Sequence, residues 1–256
     1  MDHYNAYGWV KLEGLVNRES VDLVLHAAYE LMGKDGDSNP VVDSDFRFFN
    51  LECAGGVKTD SFRPLLQGLG NTAKALMARE GIGARLLGDH FSAKLPVGGT
   101  FKHGSSTRTD FHQDFPITGV DRAGGVNIWL ALVDVVPDMG AMSFLSGSHR
   151  LGPLAVHYSH MGRDLPEVYP KLERQCASSG PMTYKAGDVT AHNILTVHGA
   201  GENRTDRVRW SYITNWLPSD ACWNGAQSEL FGPLEKRGLM RPFGLLDDGE
   251  FPILSD

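Results

Sequence analysis

Cysteine is scarce in this chain: Cys53, Cys176 and Cys222 lie far apart and no Cys-x-x-Cys pair occurs. An odd count without a framework argues against a disulfide scaffold and suits free thiols in a reducing compartment. Long apolar runs are missing too. None approaches the ~18 residues of a membrane helix, and the opening Met1-Asp2-His3-Tyr4-Asn5 lacks the basic and apolar regions of a secretory signal. The expectation is a soluble cytoplasmic protein with no membrane partner. Basic clusters are also absent. The formal charge is −7, with 24 Lys and Arg against 31 Asp and Glu, and phosphate binding needs clustered cations, so nucleic acid is not an expected partner.

What the chain does have is enough apolar content, 41% of 256 residues, to bury a sizeable core in one domain. It also carries a pattern of metal-binding residues. In Thr109-Asp110-Phe111-His112-Gln113-Asp114-Phe115-Pro116 an imidazole and a carboxylate stand two residues apart. In an extended strand such residues share a face, so His112 and Asp114 form a candidate half-site for a metal ion. A third ligand is proposed at His198. Two His and one carboxylate with open positions is the arrangement that suits non-haem Fe(II) oxygenases. Arg209 follows eleven residues after His198, within the β-type run Val208-Arg209-Trp210-Ser211-Tyr212-Ile213. A buried guanidinium there can hold a carboxylate with two prongs. Arg207 has the same strand parity, so spacing alone does not choose between the two arginines.

His-Gln-Asp, then Gly147-Ser148-His149-Arg150, then His-Gly-x-Gly-x-Asn-x-Thr-x-x-x-Arg from His198 to Arg209, resemble the phytanoyl-CoA dioxygenase family of Fe(II)- and 2-oxoglutarate-dependent oxygenases over roughly residues 85 to 217. The resemblance implies a mainly β fold with flanking helices, a double-stranded β-helix or cupin-like jelly roll. It implies that His112, Asp114 and His198 bind iron and that Arg209, rather than Arg207, binds the distal carboxylate of 2-oxoglutarate. Lys94 and Trp129 stand where related proteins contact 2-oxoglutarate or substrate, with core packing the alternative for Trp129, and Thr196, two residues before His198 and so on the same strand face, is expected to support the co-substrate. The implied cofactors are Fe(II), 2-oxoglutarate and O2. The implied reaction is oxidation, by default hydroxylation, of an unactivated C–H bond in a small molecule, with release of succinate and CO2. Asp114 disfavours halogenation, because related halogenases carry Gly or Ala there. An acyl-CoA hydroxylase, a zinc hydrolase and a non-catalytic metal-binding jelly roll are the competing readings. A natural-product tailoring enzyme, monomeric or homodimeric, is favoured over the acyl-CoA activity because no basic CoA-binding cluster is evident.

Around that core the spacing predicts a strand at 7–12, a helix capped near Asn17 and ending near Gly33, and a second helix from Phe62 or Pro64 to about Arg79. Residues 15–80 read as helical support, 85–217 as the β core and 218–256 as an extension covering the barrel mouth or forming a subunit contact. Strands are expected at 46–51, 86–95, 126–135 and 141–145. Residues 98–106 read as a loop with Lys102, His103 and Arg108 nearby, whose charges are taken as ordinary loop charges ahead of the alternative that they greet an anionic substrate. The strand bearing Arg209 is expected to return antiparallel to the one bearing His198. His149, His157 and His160 are not taken as ligands. His192 is set aside as a decoy, six residues before His198 and about 20 Å away along an extended strand.

Overall fold

Alternation of side chains along the β segments produces two antiparallel sheets. The computed structural model describes residues 1–37, 51–53, 55–100, 108–154, 164–226 and 230–255. In chain order the elements are α1 (Asp2–Tyr7), β1 (Trp9–Leu12), α2 (Arg18–Met32), β2 (Leu51–Cys53), α3 (Arg63–Met77), β3 (Ala84–Lys94), β4 (Thr109–His112), α4 (Phe115–Thr118), β5 (Val126–Ala131), β6 (Met142–Phe144), α5 (Leu165–Val168), α6 (Leu172–Gln175), β7 (Val189–Asn193), β8 (His198–Ala200), β9 (Arg209–Pro218) and α7 (Phe231–Lys236). The large sheet runs β1-β7-β5-β9-β3-β2 and the small sheet β4-β8-β6. Together they form the jelly roll.

The large sheet has two different faces. Phe91, Ala93, Ile128, Leu130, Val189, Ala191, Trp210, Tyr212 and Trp216 pack in one core with the apolar stripes of α2 and α3. In α2 the stripe is Val21, Val24, Ala28 and Met32, at helical spacing, and the Asn17 side chain caps the helix by accepting from the Ser20 amide at 2.9 Å. The intervening residues of the same strands face the small sheet. There Trp129 and Ala131 pack with Met142, Phe144 and Ala200, and Asn127, Thr190, His192, Arg209 and Ser211 line the space between the sheets.

Two expectations are corrected. The strand bearing Arg209 does not pair with the strand bearing His198: β9 pairs with β3 and β5, whereas β8 pairs with β4 and β6. The residues between β8 and β9 carry the chain from one sheet to the other, so the two side chains approach from opposite walls. The strand predicted over 126–135 stops at Ala131, where the Leu132 amide turns to the Trp210 carbonyl at 3.1 Å. The large sheet also recruits β1 and β2, which lie outside the 85–217 range. Residues 46–50, 101–107, His157 and His160 lie outside the described residues.

Past β9 the chain builds a second small core, in which Trp223, Phe231, Leu234, Leu246 and Phe251 pack with Val120, Ile194 and Leu217. Buried Arg85 ties it down, donating to the Phe251 carbonyl at 2.6 Å and the Ser219 carbonyl at 3.0 Å, and pairing with Asp248 at 2.7 Å. Among the described residues no helix is long and apolar enough to cross a membrane.

Candidate metal centre

Gln113 fixes the backbone between the first two predicted ligands. Its Nε2 donates to the Leu195 carbonyl at 2.7 Å and the Gly152 carbonyl at 3.0 Å, and its Oε1 accepts from the Leu154 amide at 2.8 Å. His112 closes β4 and Asp114 immediately precedes α4, so the two side chains leave a pinned corner. On the other strand a turn precedes His198. The Asn193 side chain accepts from the Leu195 amide at 2.9 Å, and the Thr196 amide donates to the Asn193 carbonyl at 2.7 Å. Ser148, of the Gly-Ser-His landmark, accepts from the Val197 amide at 2.8 Å. His198 then opens β8 directly opposite His112.

The side chains of His112, Asp114 and His198 are all buried, and one ligand atom from each lies within 4.8 Å of the others. His112 Nε2 is 3.4 Å from Asp114 Oδ1, and His198 Nε2 is 3.6 Å from Asp114 Oδ2. Each of these imidazoles has Nδ1 against a backbone carbonyl two residues earlier: Asp110 at 2.6 Å for His112 and Thr196 at 3.0 Å for His198. Donation from Nδ1–H fixes the tautomer and makes Nε2 the lone-pair nitrogen, which is the form a metal takes. Burial alone would raise the Asp114 carboxyl, but His198, His112 and His192 outweigh it and hold the group well below its usual range. Burial, opposed by Asp114 and reinforced by the other two imidazoles, pushes His198 well down. A carboxylate and neutral imidazoles are the protonation states metal binding requires. The donor set fits a 2-His-1-carboxylate iron site.

The reading of His192 as a distant decoy is wrong. The turn at 193–196 breaks the extended path on which it rested, and the His192 ring lies 4.2 Å from that of His198. Its Nε2 is 3.1 Å from Asp114 Oδ2, the same oxygen that accepts from Asn127 Nδ2 at 2.6 Å. Asn127 and His192 are register partners on β5 and β7. Together they hold one carboxylate oxygen and leave Oδ1 facing His112. Neither was assigned a role from sequence. The signal for His192 was the Asn193-x-x-Thr196 turn, whose Asx chemistry ends a strand.

Arg209 lies on the opposite wall, only 4% exposed, with its guanidinium 5.3 Å from the Trp129 ring. One of its nitrogens donates to the Gly140 carbonyl, while Nε, together with Trp129 Nε1 and Ser211 Oγ, is buried without a hydrogen-bond partner. Lys94, its register partner on β3, is 3% exposed and reaches across to the small sheet, donating to the Gly201 carbonyl at 2.8 Å and to Thr109 Oγ1 at 3.2 Å. Gly140 allows this approach: a Cβ there would meet Lys94 Cδ at 2.7 Å. Burial and the neighbouring Arg209 charge push Lys94 down to about 6, and burial pushes Arg209 to about 10. One buried cation beside an amine that an anion would protonate suits an anionic ligand. The unused donors on Arg209 and Trp129 fit the far carboxylate of a diacid co-substrate.

Thr196 does not join this group. Its hydroxyl donates to the Gly8 carbonyl at 2.7 Å, so it ties the α1–β1 junction to the turn before His198. The expected support for a co-substrate is corrected accordingly. Parity put Thr196 on the face of His198, but parity does not carry through a turn.

Solved structures share this fold along nearly the whole chain. The non-heme alpha ketoglutarate dependent carbocyclase SnoK from nogalamycin biosynthesis is 24% identical, with a TM-score of 0.76, covering 98% of this chain and 93% of that one. The epimerase SnoN, in complex with Fe3+, alpha ketoglutarate and nogalamycin RO, is 21% identical, with a TM-score of 0.71 and coverages of 99% and 96%. EctD from S. alaskensis with bound Fe is 17% identical, with a TM-score of 0.70 and coverages of 96% and 85%. No curated protein matches the sequence. The family model for phytanoyl-CoA dioxygenase (PhyH) matches residues 4–211, and the chain belongs to that family. It is an oxygenase dependent on Fe(II) and 2-oxoglutarate.

Proposed function

We propose that this enzyme hydroxylates an unactivated C–H bond of a small organic molecule in a biosynthetic tailoring step, within one catalytic domain. His112, Asp114 and His198 hold the iron, and Arg209, Lys94 and Trp129 hold 2-oxoglutarate. Iron, 2-oxoglutarate and O2 together supply an oxidant strong enough for such a bond, with succinate and CO2 as by-products. The observation that carries this reading is the buried Arg209, whose Nε donates to nothing. A zinc hydrolase with the same three ligands has no use for it.

The placement of Lys94 agrees. Gly201 lies three residues beyond His198 and Thr109 three before His112, roughly 10 Å along each strand. An amine at that distance, protonated when the anion binds, suits a five-carbon diacid bound to the metal at its near end. The protein's own groups position both ends of that molecule: the Nδ1 bonds orient the imidazoles, Asn127 and His192 orient Asp114, and the Trp129 ring backs the guanidinium. The related structures include a carbocyclase and an epimerase from the same biosynthesis. That supports oxidative tailoring of a secondary metabolite, and hydroxylation is the simplest outcome of hydrogen abstraction.

The test is anaerobic titration of metal-free protein with Fe(II) and then 2-oxoglutarate. A weak visible absorption band belonging to the chelate, diminished in Arg209→Ala, is the expected result. Tight zinc binding without such a band would overturn the reading.

A further inference from the structure

The inner face of the large sheet is sealed at one end and accessible at the other. Ser92, Lys94, Arg209 and Ser211 are buried to 4% exposure or less. Further along the same two strands, Gly88 and His90 on β3 and Ile213 and Asn215 on β9 remain half-buried. They form two facing pairs, Gly88 with Asn215 and His90 with Ile213. Residues of the opposite parity, Phe91, Tyr212 and Trp216, are at most 1% exposed beneath the helices. The accessible stretch is therefore a confined part of the inner face.

That stretch adjoins the metal ligands. Asn215 is the register partner of Asn127, which holds Asp114, and directly opposed side chains stand about 5 Å apart. A bulge between Leu86 and Gly88 breaks the regular pairing there, and bulges are frequent beside active sites because they re-aim the strand. Gly88 also leaves a hollow: among the described residues a Cβ built on it meets only His90 Cε1, at 3.5 Å. The chemistry of the hollow is neutral. Asn215 and His90 each offer a donor and an acceptor, and Ile213 offers apolar surface. No Lys or Arg side chain of β3 or β9 reaches it. Arg85 is bound to the C-terminal segment, and Lys94 and Arg209 lie in the sealed end.

Building on the assignment of the iron and 2-oxoglutarate sites, we propose that the hollow formed by Gly88, His90, Ile213 and Asn215 is the substrate subsite, and that it selects a neutral ring compound bearing hydroxyl or keto oxygens. His90 and Asn215 bind those oxygens, Ile213 carries the ring, and Gly88 makes the room. Among the described residues of β3 and β9 an anionic carrier-linked substrate finds no cation in this place.

The test uses protein loaded with Fe(II) and 2-oxoglutarate under argon. Calorimetry measures binding of a panel of bicyclic probes, neutral hydroxytetralones and tetralones, and of their carboxylate and ammonium counterparts. The expected result is binding of neutral members at least ~10-fold tighter than their charged counterparts, weakened at least ~10-fold by Gly88→Val and by His90→Phe, and partly restored by His90→Gln. Gly88→Ala, whose Cβ makes only ordinary contact, guards against a misfolded valine variant and weakens binding less. Failure of every neutral probe to bind, equal or tighter binding of charged probes, or affinities untouched by both Gly88 variants would overturn the proposal. The visible band of the wild-type chelate is recorded beforehand. Its absence would overturn the co-substrate assignment instead, so the two failures are distinguishable.

Discussion

The two walls of the pocket treat their polar groups differently. On the wall that carries the metal ligands nearly every donor and acceptor is spent: His112 and His198 on backbone carbonyls, Asp114 on Asn127 and His192, Gln113 on three backbone groups. His192, which reaches over from the large sheet to hold Asp114, has its Nδ1 buried without a partner. On the opposite wall Arg209 Nε, Trp129 Nε1 and Ser211 Oγ are buried and unused. A buried polar group without a partner costs about 1–3 kcal/mol. The proposed metal ligands are thus oriented before anything binds, whereas the arginine end carries a cost that an anionic ligand would relieve.

The largest effects come from breaking the oriented wall at its centre. His112→Ala or Asp114→Ala is expected to lower turnover by about 1000-fold or more, since the metal is the source of the chemistry, while thermal unfolding moves by less than about 5 °C. Full activity in either variant would refute the site. Arg209→Ala attacks the other wall. It is expected to leave Fe(II) binding intact and raise the apparent KM for 2-oxoglutarate by roughly 30- to 1000-fold, the worth of a buried charge-paired contact. Arg209→Lys should rescue little, because a point charge does not reproduce the two-pronged contact. Equal loss of iron binding would show the two walls to be one unit.

A smaller effect is expected at His192. His192→Ala or Asn127→Ala should weaken Fe(II) binding by about 10- to 100-fold, as loss of such supporting contacts does elsewhere, and the KM for 2-oxoglutarate should follow only through the metal. Equilibrium dialysis of Fe(II) checks the first arm and steady-state kinetics the second. His192 also marks the limit of what was legible in the sequence. The clustering of His112, Asp114 and His198 and the burial of Arg209 could be anticipated because each lies in a spaced motif. The helices could be read because their stripes and caps are local: Asn17 and Gly33 bound α2 where the spacing places them. His192, the pairing of β9 away from β8 and the engagement of Thr196 all depend on how the chain turns after residue 193 or changes sheet after Ala200. Those are long-range outcomes that strand parity does not encode.

Lys94 allows the contrast to be sharpened by pH. Its folded pKa is pushed down to about 6 from an ordinary 10.5, so between those values the unfolded chain binds more protons than the folded one. Stability should therefore rise with pH across that window, by up to about 1.4 kcal/mol per pH unit, and be flat in this respect below it. Lys94→Met should remove that slope. Binding of 2-oxoglutarate brings negative charge to the same end and should return the proton: uptake of up to about one proton per ligand at pH 8, measured by calorimetry in buffers of different ionisation enthalpy. Uptake that persists in Lys94→Met would assign the proton to another group.

The smallest effect belongs to Thr196, which the sequence placed at the co-substrate and the structure places behind the metal wall. Thr196→Val keeps the shape and removes the bond to Gly8, whose carbonyl still accepts from the Asn193 amide at 2.8 Å. One lost bond with its acceptor still served should cost about 1 kcal/mol of stability, read as a small shift of the denaturation midpoint. The KM for 2-oxoglutarate should change by less than about twofold, because an unaffected contact contributes no difference in binding energy. If the KM instead rose by tenfold while stability held, Thr196 would turn its hydroxyl to the co-substrate on binding, and the boundary between the oriented and the ligand-dependent wall would run through the turn at 193–196.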